Sequence, residues 1–351
     1  MSWTQVNRTQ WRAFTPRDTV FVRDGRPFDA SADGVASTVR PGPTTIAGAL
    51  GAAFGASPLA VRGPVLARRS RDGWLPYFPV PADLAESVRE PGRVYRLAPD
   101  TAGQTDLDGD LRFLAAPERA GPVKPLTGWM PGEVLARYLA GRFPGPEGVA
   151  KKQLELAWPN PLEPERRVGL ARDGRTARTG FLYQATHLRP REGWAFLAEY
   201  DVAEEWAARE SSHAPFGGMG RLADIEPAAA DWPQPAAPAD GRVLVYLATP
   251  GAWADGWRLP VPPGAELVAA ATGEPESAAT ARREQDQFRA SRVLRWAVPA
   301  GSVYLLRFDD LAEGERWARA CHGTALARDV PDDPDMVRTA GFGVVLTGAW
   351  A

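Results

Sequence analysis

Glycine and proline occupy nearly a fifth of this chain, with 35 glycines and 34 prolines among 351 residues. Proline removes a backbone hydrogen bond from a helix or a central strand, and glycine weakens both elements. Since glycine does not recur at every third residue, a collagen-like fibre is excluded. The sequence therefore predicts a globular chain of about two domains, with short elements joined by many turns and long ordered loops.

Charge and cysteine content exclude several classes of protein. The formal net charge of −2 argues against a general DNA-coating protein. The single cysteine, Cys321, excludes an intramolecular disulfide framework and any zinc site that needs two thiolates. The N-terminal segment lacks the features of a secretory signal, and no run reaches the roughly 20 strongly apolar residues of a membrane span. We therefore expect a cytoplasmic protein with no membrane partner.

Hydrophobic periodicity predicts strands interspersed with a few helices, without a regular βαβα alternation. This pattern is typical of the α+β class with mainly antiparallel sheets. The predicted helices cover residues 46–54, with Thr44 and Thr45 as caps, and 132–140, 202–209 and 313–322. The predicted strands cover residues 19–23, 74–80, 93–97, 195–201, 242–248, 293–297, 303–308 and 343–347.

Composition also predicts the linkers. Residues 228–241 and 273–281 are typical of surface loops or linkers. Proline and glycine again cluster between about Phe143 and Pro164, which favours a domain boundary there. The predicted domains are therefore residues 1–160 and 161–351.

The strongest charge asymmetry lies in a predicted β-hairpin. Apolar stretches at residues 167–171 and 179–183 flank Asp173-Gly174, a turn signal. Its arginines could follow a phosphate backbone, while Phe181, Tyr183 and His187 offer faces to unpaired bases. A solvated hairpin with core aromatics explains the pattern about equally well. Residues 166–191 hold one acidic residue, Asp173, and seven arginines: Arg166, Arg167, Arg172, Arg175, Arg178, Arg189 and Arg191.

Two further segments could contact a ligand. The string from Phe216 to Arg221 contains three glycines, which let a backbone approach a ligand closely, although a plain tight turn is an alternative. The N-terminal loop leads into a predicted helix start, and helix N-termini attract phosphate; its alternative is a structural turn. The candidates in this loop are Arg23, Arg26, Arg40, Thr44 and Thr45.

Motifs of common enzymes are absent from the sequence, including GxxxxGK[ST], GxGxxG, GxSxG and HExxH. The three histidines, His187, His213 and His322, are too few and too scattered to indicate a metal site. Cys321 and His322 are adjacent in a predicted helix, where neighbouring side chains point in different directions. We expect no catalytic residue, no metal and no cofactor.

Eight short strings spread over nearly the whole chain resemble one protein family when taken in order. RDGRPF and VPAGSVY are the most specific. The strings are FVRDGRPF at 21–28, PTTIAGAL at 43–50, PLTGW at 125–129, RVGL at 167–170, GFLY at 180–183, GGMGR at 217–221, VPAGSVY at 298–304 and GFG at 341–343. The chain resembles the RAMP-superfamily subunit of type III-B CRISPR effector complexes, the Cmr-module protein that holds the 5′ handle of the guide RNA.

The resemblance implies two ferredoxin-like domains, related to the RNA-recognition motif, with antiparallel sheets and long loops. It implies a non-catalytic subunit in antiviral defence that binds the crRNA 5′ handle and meets target RNA indirectly. Its protein partners would be the large polymerase-like subunit and the backbone RAMP subunits. The arginine-rich hairpin would be the thumb that wedges into the guide–target duplex. Met219 stands where the family has Glu, so a contact by that carboxylate does not carry over.

The resemblance also implies an RNA-binding set. It comprises Arg23, Arg26, Arg40, Thr44, Thr45, Arg166, Arg167, Arg172, Arg175, Tyr183, His187, Arg189, Gly217, Gly218, Gly220 and Arg221. Two alternatives stay open. A metal-independent RAMP endoribonuclease that processes guide precursor would use His187 or His322 near Tyr183. A protein-only scaffold would use the arginines to contact acidic partner surfaces.

Overall fold

A computed structural model provides the fold. It describes residues 10–23, 35–36, 38–100, 111–141, 143–201, 212–234, 238, 240–284, 287–326 and 339–350, and only the backbone of 35–36, 171, 178–183, 279–284 and 287–293. Over these residues, antiparallel sheets dominate and three α-helices occur, which confirms the α+β class. The predicted helix over residues 202–209 lies outside the described residues.

The largest sheet has seven strands, and every neighbouring pair is antiparallel. Numbered in chain order and given in their order across the sheet, these are β10 (Trp129–Pro131), β4 (Gly73–Pro79), β3 (Ala60–Ser70), β14 (Trp194–Asp201), β1 (Gln10–Pro16), β16 (Leu222–Ala228) and β15 (His213–Pro215). Strands β1 and β3 run parallel with β14 between them, and the chain passes from β1 to β3 through helix α1 (Pro43–Phe54). The sheet draws strands from both sides of residue 160, where the sequence predicts a domain boundary.

Helix α1 covers one face of this sheet. Its predicted apolar face is confirmed, since Ile46, Leu50 and Phe54 are at most 1% exposed. They belong to one core cluster with Phe14 of β1, and the rings of Phe54 and Tyr200 of β14 stack at 5.2 Å. Residues spaced four apart share one side of a helix, so this packing orients α1 on the sheet.

Strand β1 was not predicted, whereas residues 19–23 were predicted as a strand. Those residues form only isolated bridges, from Val20 to Leu188 and from Arg23 to Thr38. Trp11 and Phe14 of β1 face different core clusters on the two sides of the sheet. A strand that is buried on both faces lacks the alternation of apolar and polar residues that marks a half-exposed strand.

The second large sheet has five strands, again antiparallel throughout. In order, they are β18 (Ala265–Ala271), β21 (Val303–Phe308), β17 (Arg242–Leu247), β23 (Val344–Ala349) and β22 (Thr324–Ala325). Strands β21 and β23 run parallel with β17 between them, and helix α3 (Leu311–Cys321) lies on the connection from β21 to β23.

A shared core joins the two large sheets. Alternate residues of β17 face opposite sides: Leu244 and Tyr246 belong to the core that contains helix α2 (Gly132–Leu139), whereas Val243 and Val245 belong to the cluster that contains Ala318 of α3. Strand β17 is therefore covered on both faces. The Tyr246 hydroxyl also donates a hydrogen bond to a carbonyl at the end of β4, 2.6 Å away.

The segment between β16 and β17, predicted as a linker, is partly built into the structure. Trp232 packs on Trp11, with ring centroids 5.2 Å apart, and its Nε1 donates to Glu199 at 2.6 Å. Nε2 of His322 contacts the carbonyl of Pro233 at 2.7 Å. The chain passes from one large sheet to the other through this anchored segment.

Smaller sheets complete the described fold. Strands β19 (Glu276–Glu284) and β20 (Gln287–Ala297) form a two-stranded ribbon, so the prediction of a loop over residues 273–281 is wrong. Each strand of the ribbon forms backbone hydrogen bonds with the other, and the composition of one segment does not reveal that it has such a partner strand. The remaining sheets contain β11 (Val149–Ala150), β6 (Arg93–Arg96), β5 (Leu84–Ser87) and β9 (Val123–Pro125); β12 (Leu162–Asp173), β13 (Thr176–Pro190) and β2 (Val35–Ala36); and β7 (Ala98–Pro99) with β8 (Leu114–Ala115). No helix in the described part of the chain is long and apolar enough to cross a membrane.

The contact between α2 and β23 yields a stability prediction. A Cβ added at Gly348 of β23 would overlap the backbone carbonyl of Leu139 at the end of α2, which cannot yield as a flexible side chain would. Gly348→Ala should destabilise the protein by about 1–3 kcal/mol in denaturant unfolding. Gly48→Ala is the control, because position 48 of α1 is open. It should stabilise the protein by up to about 1 kcal/mol. Equal effects of the two substitutions would contradict this packing.

Candidate nucleic-acid interface

The arginine-rich segment is a long hairpin. Strands β12 and β13 pair from Leu162 opposite Pro190 to Asp173 opposite Thr176, with the turn at Gly174 and Arg175. Side chains from residue 172 to residue 177 are exposed, so the tip lies in solvent. The base is attached by backbone hydrogen bonds between residues 20 and 188 and by pairing of β13 with the short parallel strand β2.

One side of β12 is open to solvent. Arg166, Val168 and Leu170 alternate along the strand and are exposed, with Val168 at 66% and Leu170 at 48%. Among the described residues, no ion pair involves Arg166, or Arg172 and Arg175 near the tip. The outer hairpin therefore presents unneutralised guanidinium groups beside apolar side chains.

At the base of the hairpin, arginines converge on two carboxylates. Asp18 accepts hydrogen bonds from Nη2 of Arg167 at 2.9 and 3.0 Å, from Nη2 of Arg189 at 2.9 Å and from Nη1 of Arg221 at 2.5 Å. Glu165 accepts from Nε of Arg167 at 2.8 Å and from Nε of Arg189 at 2.5 Å. The arginines come from β12, β13 and the loop before β16. We call these five residues the Asp18 cluster.

Opposite charges control the ionisation of this cluster. Burial acts to raise the pKa of Asp18, but hydrogen bonds and positive charge from the arginines outweigh it and lower that pKa. Hydrogen bonds from Arg189 and Arg167 likewise lower the pKa of Glu165. Both carboxylates are therefore ionised at neutral pH, where two negative charges face three positive charges.

His187 lies inside the protein next to the Asp18 cluster. It is 1% exposed, its Nδ1 lies 2.8 Å from Oγ1 of Thr19, and its ring is 4.8 Å from that of Phe21. Burial lowers the pKa of His187, and the positive charges of Arg167 and Arg221 lower it further. The imidazole is therefore neutral at pH 7 and lies away from the surface on which a base could stack.

The glycine-rich loop contacts its own chain on one side and is open on the other. Gly217 has φ 85°, and a Cβ there would lie 2.6 Å from the carbonyl oxygen of Phe21. The same oxygen accepts a hydrogen bond from the amide of Gly218 at 2.7 Å. By contrast, Met219 is 57% exposed and Gly220 faces open space. Internal packing thus explains why position 217 is glycine, and the exposed side of residues 217–220 is accessible to a ligand.

The N-terminal candidates are spread more widely. Arg40 donates to Oε1 of Glu276 at 2.9 Å, and its guanidinium lies 4.9 Å from the ring centre of Trp129. These three residues border a cavity of about 50 Å³. Arg23 is exposed, and Arg26 lies outside the described residues.

The start of α1 differs from the prediction. The helix begins at Pro43 with Gly42 as the N-cap, and no side chain caps it, so the prediction that Thr44 and Thr45 are caps is wrong. Proline suits the first helical position because its φ is already helical and its missing N–H is not needed there. Thr44 and Thr45 are partly buried within the first turn.

The remaining candidates lie elsewhere. Tyr183 is on β13, opposite Gly169, but its side chain is outside the described set. His322 is half-buried: its Nδ1 accepts from the amide of Thr347 at 3.0 Å, so Nε2 is the nitrogen that donates to the Pro233 carbonyl. No cluster of three or more histidine, cysteine or acidic residues suited to a metal occurs among the described residues.

Sequence reasoning missed the two carboxylates of the Asp18 cluster. Glu165 lies one residue outside the arginine-rich window, and it shares a strand face with Arg167 because residues two apart on a strand point to the same side. A wider window would have found it. Asp18 is 149 residues from Arg167, and no local signal marks that contact.

Comparisons with known proteins identify one family. The family model described as CRISPR-associated protein (Cas_Cmr3) matches residues 12–350. One similar chain, 14% identical with a TM-score of 0.49, is from a cryo-EM structure of the type III-B Cmr-beta bound to cognate target RNA and AMPPnP; the match covers 84% of this chain and 86% of that chain. Another, 15% identical with a TM-score of 0.48 and the same coverage, is from the type III-B Cmr-beta bound to cognate target RNA. The comparison with curated proteins gives no match.

The environment of His322 predicts a pH dependence of stability. Burial lowers the pKa of His322 more than its hydrogen bonds to Pro233 and Thr347 raise it. In the unfolded chain His322 therefore binds a proton at a higher pH than in the folded chain. As a result, the free energy of unfolding declines as the pH falls below about 6.5. The free energy of unfolding should fall between pH 7.5 and 5.5, and His322→Gln should flatten the slope by at most about 1.4 kcal/mol per pH unit. An unchanged slope in His322→Gln would contradict the prediction.

Proposed function

The chain belongs to the CRISPR-associated Cas_Cmr3 family, and from this premise we propose that it is a non-catalytic crRNA-binding subunit of a type III-B CRISPR effector complex. In this proposal it holds the crRNA 5′ handle and bridges the large polymerase-like subunit to the backbone subunits in antiviral defence. It would meet target RNA indirectly. The observation that carries the proposal is the family match, which extends over residues 12–350.

We infer that the two large sheets form two ferredoxin-like domains. In one, parallel strands β1 and β3 flank β14 and are joined through α1. In the other, parallel strands β21 and β23 flank β17 and are joined through α3. This arrangement is the split βαβ unit of ferredoxin-like folds. The passage from one sheet to the other lies between Ala228 and Arg242, which favours a domain division there.

The central strands of the two large sheets do not offer an open face to RNA. An RNA-recognition motif stacks bases on an open face of its four-stranded sheet. Here the central strands are buried on both faces, with β14 almost entirely buried and β17 between two core clusters. We therefore assign RNA contact to elements that project from the sheets.

The outer hairpin is the strongest candidate for that contact. Arg166, Arg172 and Arg175 are exposed and have no ion pair among the described residues, so their charge is available to phosphates. The neighbouring Val168 and Leu170 could pack against bases or sugars. Arg40, Arg167, Arg189 and Arg221, by contrast, already bind carboxylates.

No specific observation favours the ribonuclease alternative. A general base needs hydrogen-bond reach to its substrate. His187 is 1% exposed, and both ring nitrogens of His322 contact its own chain. The scaffold alternative predicts that charge at the hairpin tip affects binding of protein partners but not of RNA.

Charge reversal at the tip tests the proposal. In an effector complex purified through a tag on this subunit, Arg172→Glu with Arg175→Glu should lower guide-RNA retention at least tenfold at moderate salt. Loss of two phosphate contacts should reduce the salt dependence of retention by a slope of about 2. The measurement is the amount of guide RNA per complex across a salt titration.

Arg71→Glu with Arg316→Glu is the matched control, because these exposed arginines lie on the turn after β3 and on α3, outside the hairpin and the Asp18 cluster. The control should retain guide RNA as the wild type does. Unchanged retention in the tip variant would refute the role of the hairpin, and unchanged retention with loss of partner subunits would favour the scaffold.

A further inference from the structure

We propose that Asp18 occupies a phosphate-binding site, where its carboxylate takes the place of an RNA phosphate on Arg167, Arg189 and Arg221. A phosphate that binds there must displace Asp18, so this residue lowers RNA affinity. The inference rests on the proposed RNA-binding function, and it identifies both the ligand group of this site and the group that competes with it.

The convergence of three arginines on one carboxylate is the first observation. Both oxygens of Asp18 accept hydrogen bonds, from guanidinium groups on three segments that are far apart in sequence. A guanidinium has a planar fork of donors that matches carboxylate and phosphate oxygens alike. A phosphate offers more acceptor oxygens than a carboxylate, so the same three arginines can hold it.

The cluster also retains unused binding capacity. Nε of Arg221 is buried and has no hydrogen-bond partner among the described residues. Among the described residues, the three arginines of the cluster pair with two carboxylates, Asp18 and Glu165, which leaves one positive charge in excess. An unpartnered buried donor next to excess positive charge favours an anion with further acceptor oxygens.

The site is accessible from solvent. The side chain of Asp18 is 37% exposed and that of Arg189 is 42% exposed. Arg221 directly follows the open side of the glycine-rich loop, where Gly220 has free space around it. A strand of RNA that passes from the exposed tip of the hairpin along the face of β12 that carries Arg167 would reach this cluster.

Competition by Asp18 has a selective effect. Before RNA binds, the carboxylate holds the three arginines in place and, together with Glu165, neutralises two of their three positive charges. An isolated anion gains little by displacing it, whereas an RNA strand that is also held at the hairpin tip presents its phosphate at high local concentration. Asp18 therefore disfavours non-specific anions more than it disfavours the guide.

Asp18→Asn tests the proposal, with Asp224→Asn as the matched control. Asp224 pairs with one arginine, Arg17, at 2.7 Å and lies outside the cluster, so both substitutions remove one negative charge. Asp18→Asn should raise guide-RNA affinity by roughly threefold to tenfold and steepen its salt dependence, because a further phosphate contact forms. Asp224→Asn should change affinity less than twofold. Unchanged or lower affinity in Asp18→Asn would overturn the proposal.

A second measurement separates this inference from the proposed function. Inorganic phosphate should raise the Tm of purified full-length Asp18→Asn more than that of the wild type, because the site is then free. If the wild type binds no RNA, the proposed function fails, whereas the phosphate response still decides the assignment of the site. Should Asp18→Asn not fold, Glu165→Gln relieves two of the three arginines, Arg167 and Arg189, of their other carboxylate and should shift both readouts in the same direction. The absence of either shift in that variant would overturn the inference.

Discussion

Ion pairs between Asp18 and three arginines join the base of the hairpin to the end of β1 and to the glycine-rich loop, beside a hydrophobic core that contacts the same elements. Asp18 follows β1, Arg167 and Arg189 lie on opposite strands of the hairpin, and Arg221 ends the glycine-rich loop. The outer hairpin has exposed apolar side chains on its open face and contributes little to the core. The direction in which its tip arginines point therefore depends on its base, which is held by this charge pairing together with the backbone hydrogen bonds between residues 20 and 188. Because the cluster is partly exposed, solvent and salt weaken each pair, and its effect comes from several pairs acting together.

Burial determines where a nucleic acid can bind. The central strands of both large sheets are covered on both faces, by α1, α3, the core shared with α2 and the segment that carries Trp232. The anchored Trp232 and the hydrogen bond from His322 to the next residue also tie the passage between the sheets to both of them. In the described part of the chain, the tip of the arginine-rich hairpin and the exposed side of the glycine-rich loop remain accessible to solvent.

Local signals predicted a large part of the fold, because they depend on residues that are close in sequence. The apolar face of α1, the helix over Gly132–Leu139 and the family resemblance, at the level of a Cmr-type CRISPR-associated subunit, are confirmed. Strand β1 was missed since both of its faces are buried, and β19 was taken for a loop because its composition does not reveal its partner strand. The sequence predicts the arginines of the candidate site, because they cluster in the chain. It does not predict Asp18, which pairs with them from a distant position in the sequence.

We propose that the hairpin and its base contact the guide RNA in the assembled complex. Ultraviolet crosslinking of the complex purified through this subunit, followed by mass spectrometry of the crosslinked peptides and sequencing of the attached RNA, tests it most directly. We expect crosslinks within residues 162–190 and 217–221, on RNAs that share one 5′ segment followed by variable sequence. Guide RNA present in the complex but crosslinked to this subunit only outside those segments would contradict the account.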